Sequence, residues 1–414
     1  MEMIETEQRY KKTNIGCFPA DWKIIKIGNY SNIDNKSLKS NTNENYTFKY
    51  ISLSDIENGK INIPNKDISF KLAPSRARRI VSNGDILLST VRPNLKAFGM
   101  LENSSEATIA STGFAIITCK QGLHAKYLLH NLFSNSLDRQ FYMLVVGSNY
   151  PAINSSDVKN LKIPLPSLVE QKKIAEILST WDEAIDKTQQ LIEQLEFRKK
   201  GLMQELLTGK KRLPGFDGEW KEFELGDITK RITTKNEELN DNVITISAQR
   251  GFVRQEEYFN KRIASSVVSG YFLIRKGDFA YNKSYSNGYP MGAFKRLDEL
   301  DKAVVTTLYI CFSIKDNVDS DFLLNYFEGG LLVRNLSRIA QEGGRAHGLL
   351  NIGLSDFFAL NLSLPPKNEQ RAISNILNNI DSEIVGWNKY LEKLKIQKKG
   401  LMQQLLTGKK RVKI

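Results

Sequence analysis

Two stretches of the chain carry apolar residues at alternating spacings of four and three. The first runs Ile174, Leu178, Trp181, Ile185, Ile192, Leu195, Leu202 and Leu206, with Thr188 and Lys199 out of pattern. The second runs Ile373, Leu377, Ile380, Ile384, Trp387, Leu391, Leu394, Leu401 and Leu405, with only Lys398 out of pattern. A seam sustained over about five heptads predicts a coiled-coil helix rather than a helix lying on a sheet. Ser167 followed by Glu170 offers a capping box at the first start, and Gly209 and Gly408, each followed by basic residues, are ordinary stops. Roughly 38 helical residues at 1.5 Å each make a rod of about 57 Å. A lone helix of this kind leaves its seam wet, so the two are expected to pair with each other; the competing reading is that each pairs with another protein. Gly201 and Gly400 cost about 1 kcal/mol each inside a helix, which predicts a bend or the close approach of another chain.

Before the first of these stretches, and again between the two, the pattern shortens to β-rich runs. Strands are expected at Phe48 to Leu53, Gly84 to Ser89, Phe114 to Cys119 and Leu161 to Leu165, then at Val243 to Ile246, Asp278 to Tyr281 and Leu308 to Ile314. Helical patterns at Ala125 to Phe133 and Asp321 to Phe327 lie between them. The bodies are therefore mixed α/β with long polar loops, a surface that suits a reader of nucleic acid more than a deep catalytic cleft.

The chain is also a tandem repeat. Lys199-Lys200-Gly201-Leu202-Met203-Gln204 and Leu206-Leu207-Thr208-Gly209-Lys210-Lys211-Arg212 return as Lys398-Lys399-Gly400-Leu401-Met402-Gln403 and Leu405-Leu406-Thr407-Gly408-Lys409-Lys410-Arg411, with only Glu205 against Gln404 differing. The same offset of 199 carries Glu170-Gln171 onto Glu369-Gln370 and Asp182 onto Asp381. Phe18, Trp22 and Gly28 echo Phe216, Trp220 and Gly226. The bodies have diverged, although both keep a Gly-Asp opening a strand (Gly84-Asp85, Gly277-Asp278) and a late Gly loop followed by an apolar-Pro strand. Near-identical tails with divergent bodies suggest constant frames carrying variable readers.

Composition narrows the chemistry. Of 414 residues, 59 are Lys or Arg and 46 Asp or Glu, a formal net charge of +13 that favours a polyanionic partner. The excess is uneven: residues 1–165 carry +7, 166–213 carry +1, 214–364 carry −2 and 365–414 carry +7. A slightly acidic second body is expected to meet a polyanion through a local patch or to rely on partners, and the second tail's charge is available for subunit contacts or phosphates. Three dispersed Cys and three His form no zinc spacing, the polar start is no signal peptide, and no apolar run spans a membrane, so a reducing, cytoplasmic setting is expected. Phosphate-cradle and Gly-x-Gly-x-x-Gly motifs are missing, Leu364-Pro365-Pro366-Lys367 is not a base-flipping methyltransferase loop, and Asp157-x-Lys159 is a triplet that arises easily by chance.

Candidate nucleic-acid contacts follow from side-chain chemistry. They are the basic cluster Arg76, Arg78 and Arg79; Arg92 and Lys96 after the first Gly-Asp strand; Asn282, Lys283, Ser284 and Tyr285 in the equivalent second loop; and the late Gly loops with Ser148, Asn149 and Tyr150, and with Arg345 and His347. Arg and Lys neutralise phosphates or bind guanine edges, and Asn binds adenine edges.

Body, Leu-Pro-x-x-x-Glu-Gln, long helix, and the whole repeated once: this order resembles the specificity (S) subunit of type I restriction-modification systems. The resemblance covers essentially the full chain and rests on Ile163-Pro164-Leu165-Pro166 with Glu170-Gln171, on Leu364-Pro365 with Glu369-Gln370, on the Lys-Lys-Gly-Leu-Met-Gln helix ends and on the Trp22 and Trp220 openings. It implies an α+β chain with target recognition domains at 1–165 and 214–364, alternating with long helices at 166–213 and 365–414 that pair as an antiparallel coiled coil in a pseudo-two-fold tandem repeat. It further implies that each recognition domain reads one half of an asymmetric bipartite site in double-stranded DNA, while the helices set the unread spacer and dock two methyltransferase (M) subunits. It implies as well that no catalysis and no cofactor belong to this chain, with S-adenosylmethionine on M and ATP and Mg on the motor-nuclease (R) subunits. A stand-alone DNA-modifying or cleaving enzyme, and a coiled-coil scaffold whose bodies bind proteins, are the competing readings.

Overall fold

The computed structural model describes residues 10–57, 59–145, 151–259, 268–340 and 348–413. It divides into two compact units, one of residues 1–189 with 390–414 and the other of residues 190–389. Each unit holds one body, the first part of one long helix and the last part of the other. This partition cuts both helices rather than separating them from the bodies.

The first body is built on two four-stranded sheets. One orders Phe98–Met100, Ile86–Ser89, Phe114–Cys119 and Ser31–Ile33, all antiparallel. The other orders Ile68–Ser69, Thr47–Ile51, Thr108–Ser111 and Ala77–Val81, with Thr47–Ile51 and Thr108–Ser111 parallel. Ile86–Ser89 is buried along its whole length, as befits an inner strand read as a continuous apolar run. Helices Ala125–Leu132 and Asn135–Val145 cover the first sheet, burying Tyr127, Leu128, Leu132, Leu137 and Phe141. In the second body Thr229–Ile232, Ile310–Ile314, Phe279–Asn282 and Ala293–Arg296 form one antiparallel sheet, with Phe279, Phe294, Phe312, Phe327 and Phe357 in mutual ring contact beneath it.

In both bodies the entering and leaving strands pair antiparallel: Lys23–Lys26 with Lys162–Leu165, and Lys221–Glu224 with Asn361–Leu364. The chain thus leaves each body where it entered and passes directly into a long helix, Leu168–Leu206 or Lys367–Leu405, each 39 residues long. The Glu-Gln dipeptide at each helix start joins two neighbours. Gln171 accepts from the His124 N–H (2.9 Å) and donates to Gly122 and Pro166 carbonyls (both 3.0 Å), tying the body helix to the long helix. Gln370 repeats this with the Asp319 N–H and the Pro365 carbonyl (both 2.8 Å). The neighbouring Glu faces the tail of the other repeat, and this corrects the capping-box expectation. Ser167 does accept from the Glu170 N–H at 3.3 Å, but the Glu170 carboxylate binds Arg411 and Trp22 Nε1.

Within each unit the two helix segments run antiparallel, because contact partners rise in number along one as they fall along the other. Glu170 meets Arg411 and Asp182 meets Lys398 in the first unit; Lys199 meets Asp381 and Arg212 meets Glu369 in the second. The seam positions Ile174, Leu178, Ile192, Leu195, Ile373, Leu377, Ile380, Leu391 and Leu394 are buried. Trp387 departs from the pattern at 37% exposure. Leu405 and Leu406 enter the core of the first body beside Phe18 and Trp22, and Leu206 and Leu207 enter that of the second. Gly209 and Gly408 end the helices with φ of +68°, and a side chain at Gly408 would collide with Pro19. Gly201 and Gly400 both stay helical, and a Cβ added at either would meet nothing within 4 Å among the described residues. Among the described residues no helix is long and apolar enough to cross a membrane.

Candidate nucleic-acid interface

The Gly-Asp pair opens the central strand of each body through the same turn. Gly84 (φ +89°) and Gly277 (φ +90°) adopt left-handed backbone, and the following carboxylate accepts from a backbone N–H three residues back, Ser82 to Asp85 at 2.8 Å and Arg275 to Asp278 at 2.7 Å. The strand that follows delivers its C-terminal loop to one edge of the body.

In the first body that loop is locked to its neighbours by backbone bonds. The Arg92 N–H donates to Pro151 (2.7 Å), the Ile153 N–H to Thr90 (2.9 Å), and the Thr90 N–H to Gly113 (2.8 Å). The Thr112 N–H in turn donates to Arg76 (2.8 Å). Arg76, the 111–113 turn, the Arg92 loop and the segment after the late Gly loop therefore stand side by side. Arg92 and Lys96 both hold left-handed backbone (φ +49° and +55°) around a single 3-10 turn, Pro93–Leu95. Non-glycine residues in this region store strain, which persists where surrounding structure imposes it. The turn exposes Arg92, Asn94 and Leu95, the last at 68%.

The second body brings the corresponding loops together. The Leu350 N–H donates to Lys283 (2.9 Å), the Tyr285 N–H to Gly348 (3.0 Å), and Ser284 bridges Leu349. Asn282 accepts the Ser284 N–H on its side-chain Oδ1 (3.0 Å), so it shapes the loop, while Tyr285 stands 64% exposed. The Ser247–Gly251 turn joins them: Gln249 Nε2 donates to the Asn287 carbonyl (2.9 Å), and Arg250 is exposed beside it. Asn94, Leu95, Gln249, Arg250 and Asn287 are not among the candidates that the sequence pattern offers. The tight Ser-Ala-Gln-Arg-Gly hairpin turn was the one signal available for the middle pair.

The basic residues divide by what holds them. Lys96 pairs with Asp138 at 2.7 Å, Arg79 with Asp34 at 3.1 Å, and Arg78 stacks 4.7 Å over Phe70 and donates to Ala77. Adjacent strand residues point to opposite faces, so the Arg78-Arg79 pair is split rather than clustered. Arg76 and Arg92 are exposed cations with no side-chain partner among the described residues. Ser148, Asn149, Tyr150, Arg345 and His347 lie outside the described residues.

Other groups that could act chemically are engaged in structure. Asp157 caps the helix Ser155–Asn160, exchanging bonds with Asn154, which accounts for the Asp157-x-Lys159 triplet. Burial pushes the Cys119 and Cys311 thiols up to about 12. Among the described residues no group of His, Cys, Asp and Glu could hold a metal ion.

The family model for the type I restriction modification DNA specificity domain matches residues 19–197 and again 217–395. The type I restriction enzyme MjaVIII specificity subunit of Methanocaldococcus jannaschii is 26% identical over 98% of this chain and 97% of its own. Two solved structures share the fold. The type I restriction-modification S subunit from M. genitalium has a TM-score of 0.57 at 16% identity, covering 93% of this chain and 96% of its own. A chain from a type I R-M system solved to explain its assembly and conformational transition has a TM-score of 0.58 at 22% identity, covering 94% and 99%. With two specificity domains in tandem, the chain belongs to the type I restriction-modification DNA specificity family and is a specificity subunit.

Proposed function

We propose that each body reads one half of an asymmetric bipartite site in double-stranded DNA, and that the long helices set the unread gap and dock two methyltransferase subunits. The observation that carries this reading is the repeated loop assembly: the same backbone frame follows the Gly-Asp strand in both bodies, yet it presents Arg92, Asn94 and Leu95 in one and Lys283 and Tyr285 in the other. Equivalent frames with unlike side chains suit two readers of unlike half-sites. Chemistry then belongs to the partners, S-adenosylmethionine on the methyltransferase subunits and ATP with Mg on restriction subunits, acting on DNA in the cytoplasm. The capping role of Asp157 supports a structural rather than a chemical reading of the Asp157-x-Lys159 triplet.

The test is to incubate the purified chain with plasmid, Mg²⁺ and labelled S-adenosylmethionine, with and without methyltransferase subunits. Methylation of a discrete bipartite site is expected only when those subunits are added. Methylation or cutting by the chain alone would contradict the proposal.

A further inference from the structure

An apolar heptad seam specifies that two helices pair but resists sliding only weakly, since a shift of one heptad lays apolar positions on apolar positions again. The charged residues that interrupt this seam are therefore informative. Lys199 and Lys398, the charged residues among those out of the heptad pattern, meet Asp381 (2.6 and 2.7 Å) and Asp182, each within its own unit. At the helix starts, Glu170 and Glu369 are almost fully buried and are held bidentate by Arg411 (2.5 and 2.8 Å) and Arg212 (2.6 and 2.7 Å). The four pairs are two copies of one arrangement, since Glu170, Asp182, Lys199 and Arg212 correspond in the repeat to Glu369, Asp381, Lys398 and Arg411.

We infer that these four ion pairs fix the register of the helix pair and are thereby determinants of the gap between half-sites, an inference that rests on the bipartite reading proposed above. A slide of one heptad carries Asp182 from Lys398 to Leu391 or Leu405, and Asp381 from Lys199 to Ile192 or Leu206. It also withdraws both arginines from buried carboxylates. A buried charge without its partner is strongly unfavourable, so the charges select one register among those that the apolar seam tolerates. Exposed ion pairs carry little weight, but Glu170 and Glu369 sit in the body cores, where water does not replace the lost guanidinium. One heptad corresponds to about 10 Å of helix, or about three base pairs of DNA at 3.4 Å, so register and gap are coupled.

The experiment uses the full chain expressed with its methyltransferase subunits, and reads modified sites by methylation-sensitive sequencing. Three forms are compared: the parent, Lys199→Asp with Lys398→Asp, and that double variant carrying Asp182→Lys and Asp381→Lys as well. The parent is expected to modify sites with a single gap. The double variant, with Asp facing Asp, is expected to lose at least tenfold in modification at that gap or to modify sites whose gap has changed. The fourfold reversal is expected to restore the parental gap, which separates register from a failure to fold. A double variant that modifies the parental gap at parental level, or a folded fourfold variant that does not regain it, overturns the inference. A parent that modifies no bipartite site overturns the underlying reading instead.

Discussion

At the scale of single residues, similar side chains part company once their neighbours are known. Arg92 and Lys96 look alike in sequence, four positions apart in one polar loop. Lys96 is spent on Asp138, which stands on a helix far along the chain, whereas Arg92 projects from a strained turn without a partner among the described residues. No local pattern could have separated them, because the deciding carboxylate is not local. Arg92→Ala is expected to weaken binding of the specificity–methyltransferase complex to its site by about 1–3 kcal/mol, and Lys96→Ala by much less, as fluorescence anisotropy on labelled duplex would show. An equal loss for both would contradict the assignment. His130 supplies a second prediction. Its ring is buried on the body helix, 3.3 Å from Ser179 Oγ and 3.8 Å from Asp182, with Lys398, Lys126 and His124 as further charged or titratable neighbours. Burial, aided by Lys398, holds it down to about 3. The unfolded chain therefore binds more protons than the folded one below about pH 6.5, and the stability contributed by the neutral ring is lost as pH falls. Asp182, raised by its own burial, acts in the opposite sense at lower pH. His130→Gln is expected to narrow the difference in denaturant midpoint between pH 7 and pH 5.5; an unchanged difference would contradict this.

At the scale of elements, periodicity made the long helices legible almost to their ends, and the short strands at Ile86–Ser89, Phe114–Cys119 and Ile310–Ile314 fell where apolar runs placed them. What stayed hidden were the roles of polar residues in those elements. Glu170 has the spacing of a capping box, but a carboxylate that can meet an arginine in a buried site forms the stronger, charge-assisted pair. The basic tail looked available for phosphates, yet Arg411 is held by Glu170 and Asp21 and lies 5.7 Å over Trp22. Arg411→Met should leave the Glu170 carboxylate buried and uncompensated, lowering stability by about 3 kcal/mol. Denaturant unfolding of Arg411→Met measures this, and the double change with Glu170→Gln should recover much of the loss. A loss below 1 kcal/mol in the single variant would show that water reaches the carboxylate.

For the whole molecule, the repeat was the most legible feature, since near-identical tails survive any divergence of the bodies. Its consequence in space was not legible: the tail of each repeat completes the core of the other repeat's body, as Leu405 and Leu406 do beside Trp22. The bonding of the loop after each Gly-Asp strand to the segment following the late Gly loop has no local signal either, because the contact joins positions some 60 residues apart. Two bodies with one frame and different exposed side chains imply a division of labour, and that division is the central claim. Its most direct measurement is an exchange of residues 15–165 for the corresponding body of another specificity subunit, with modified sites read by methylation-sensitive sequencing. We predict that one half-site changes while the other half-site and the gap stay as they were. Both halves changing together, or neither, would contradict the account.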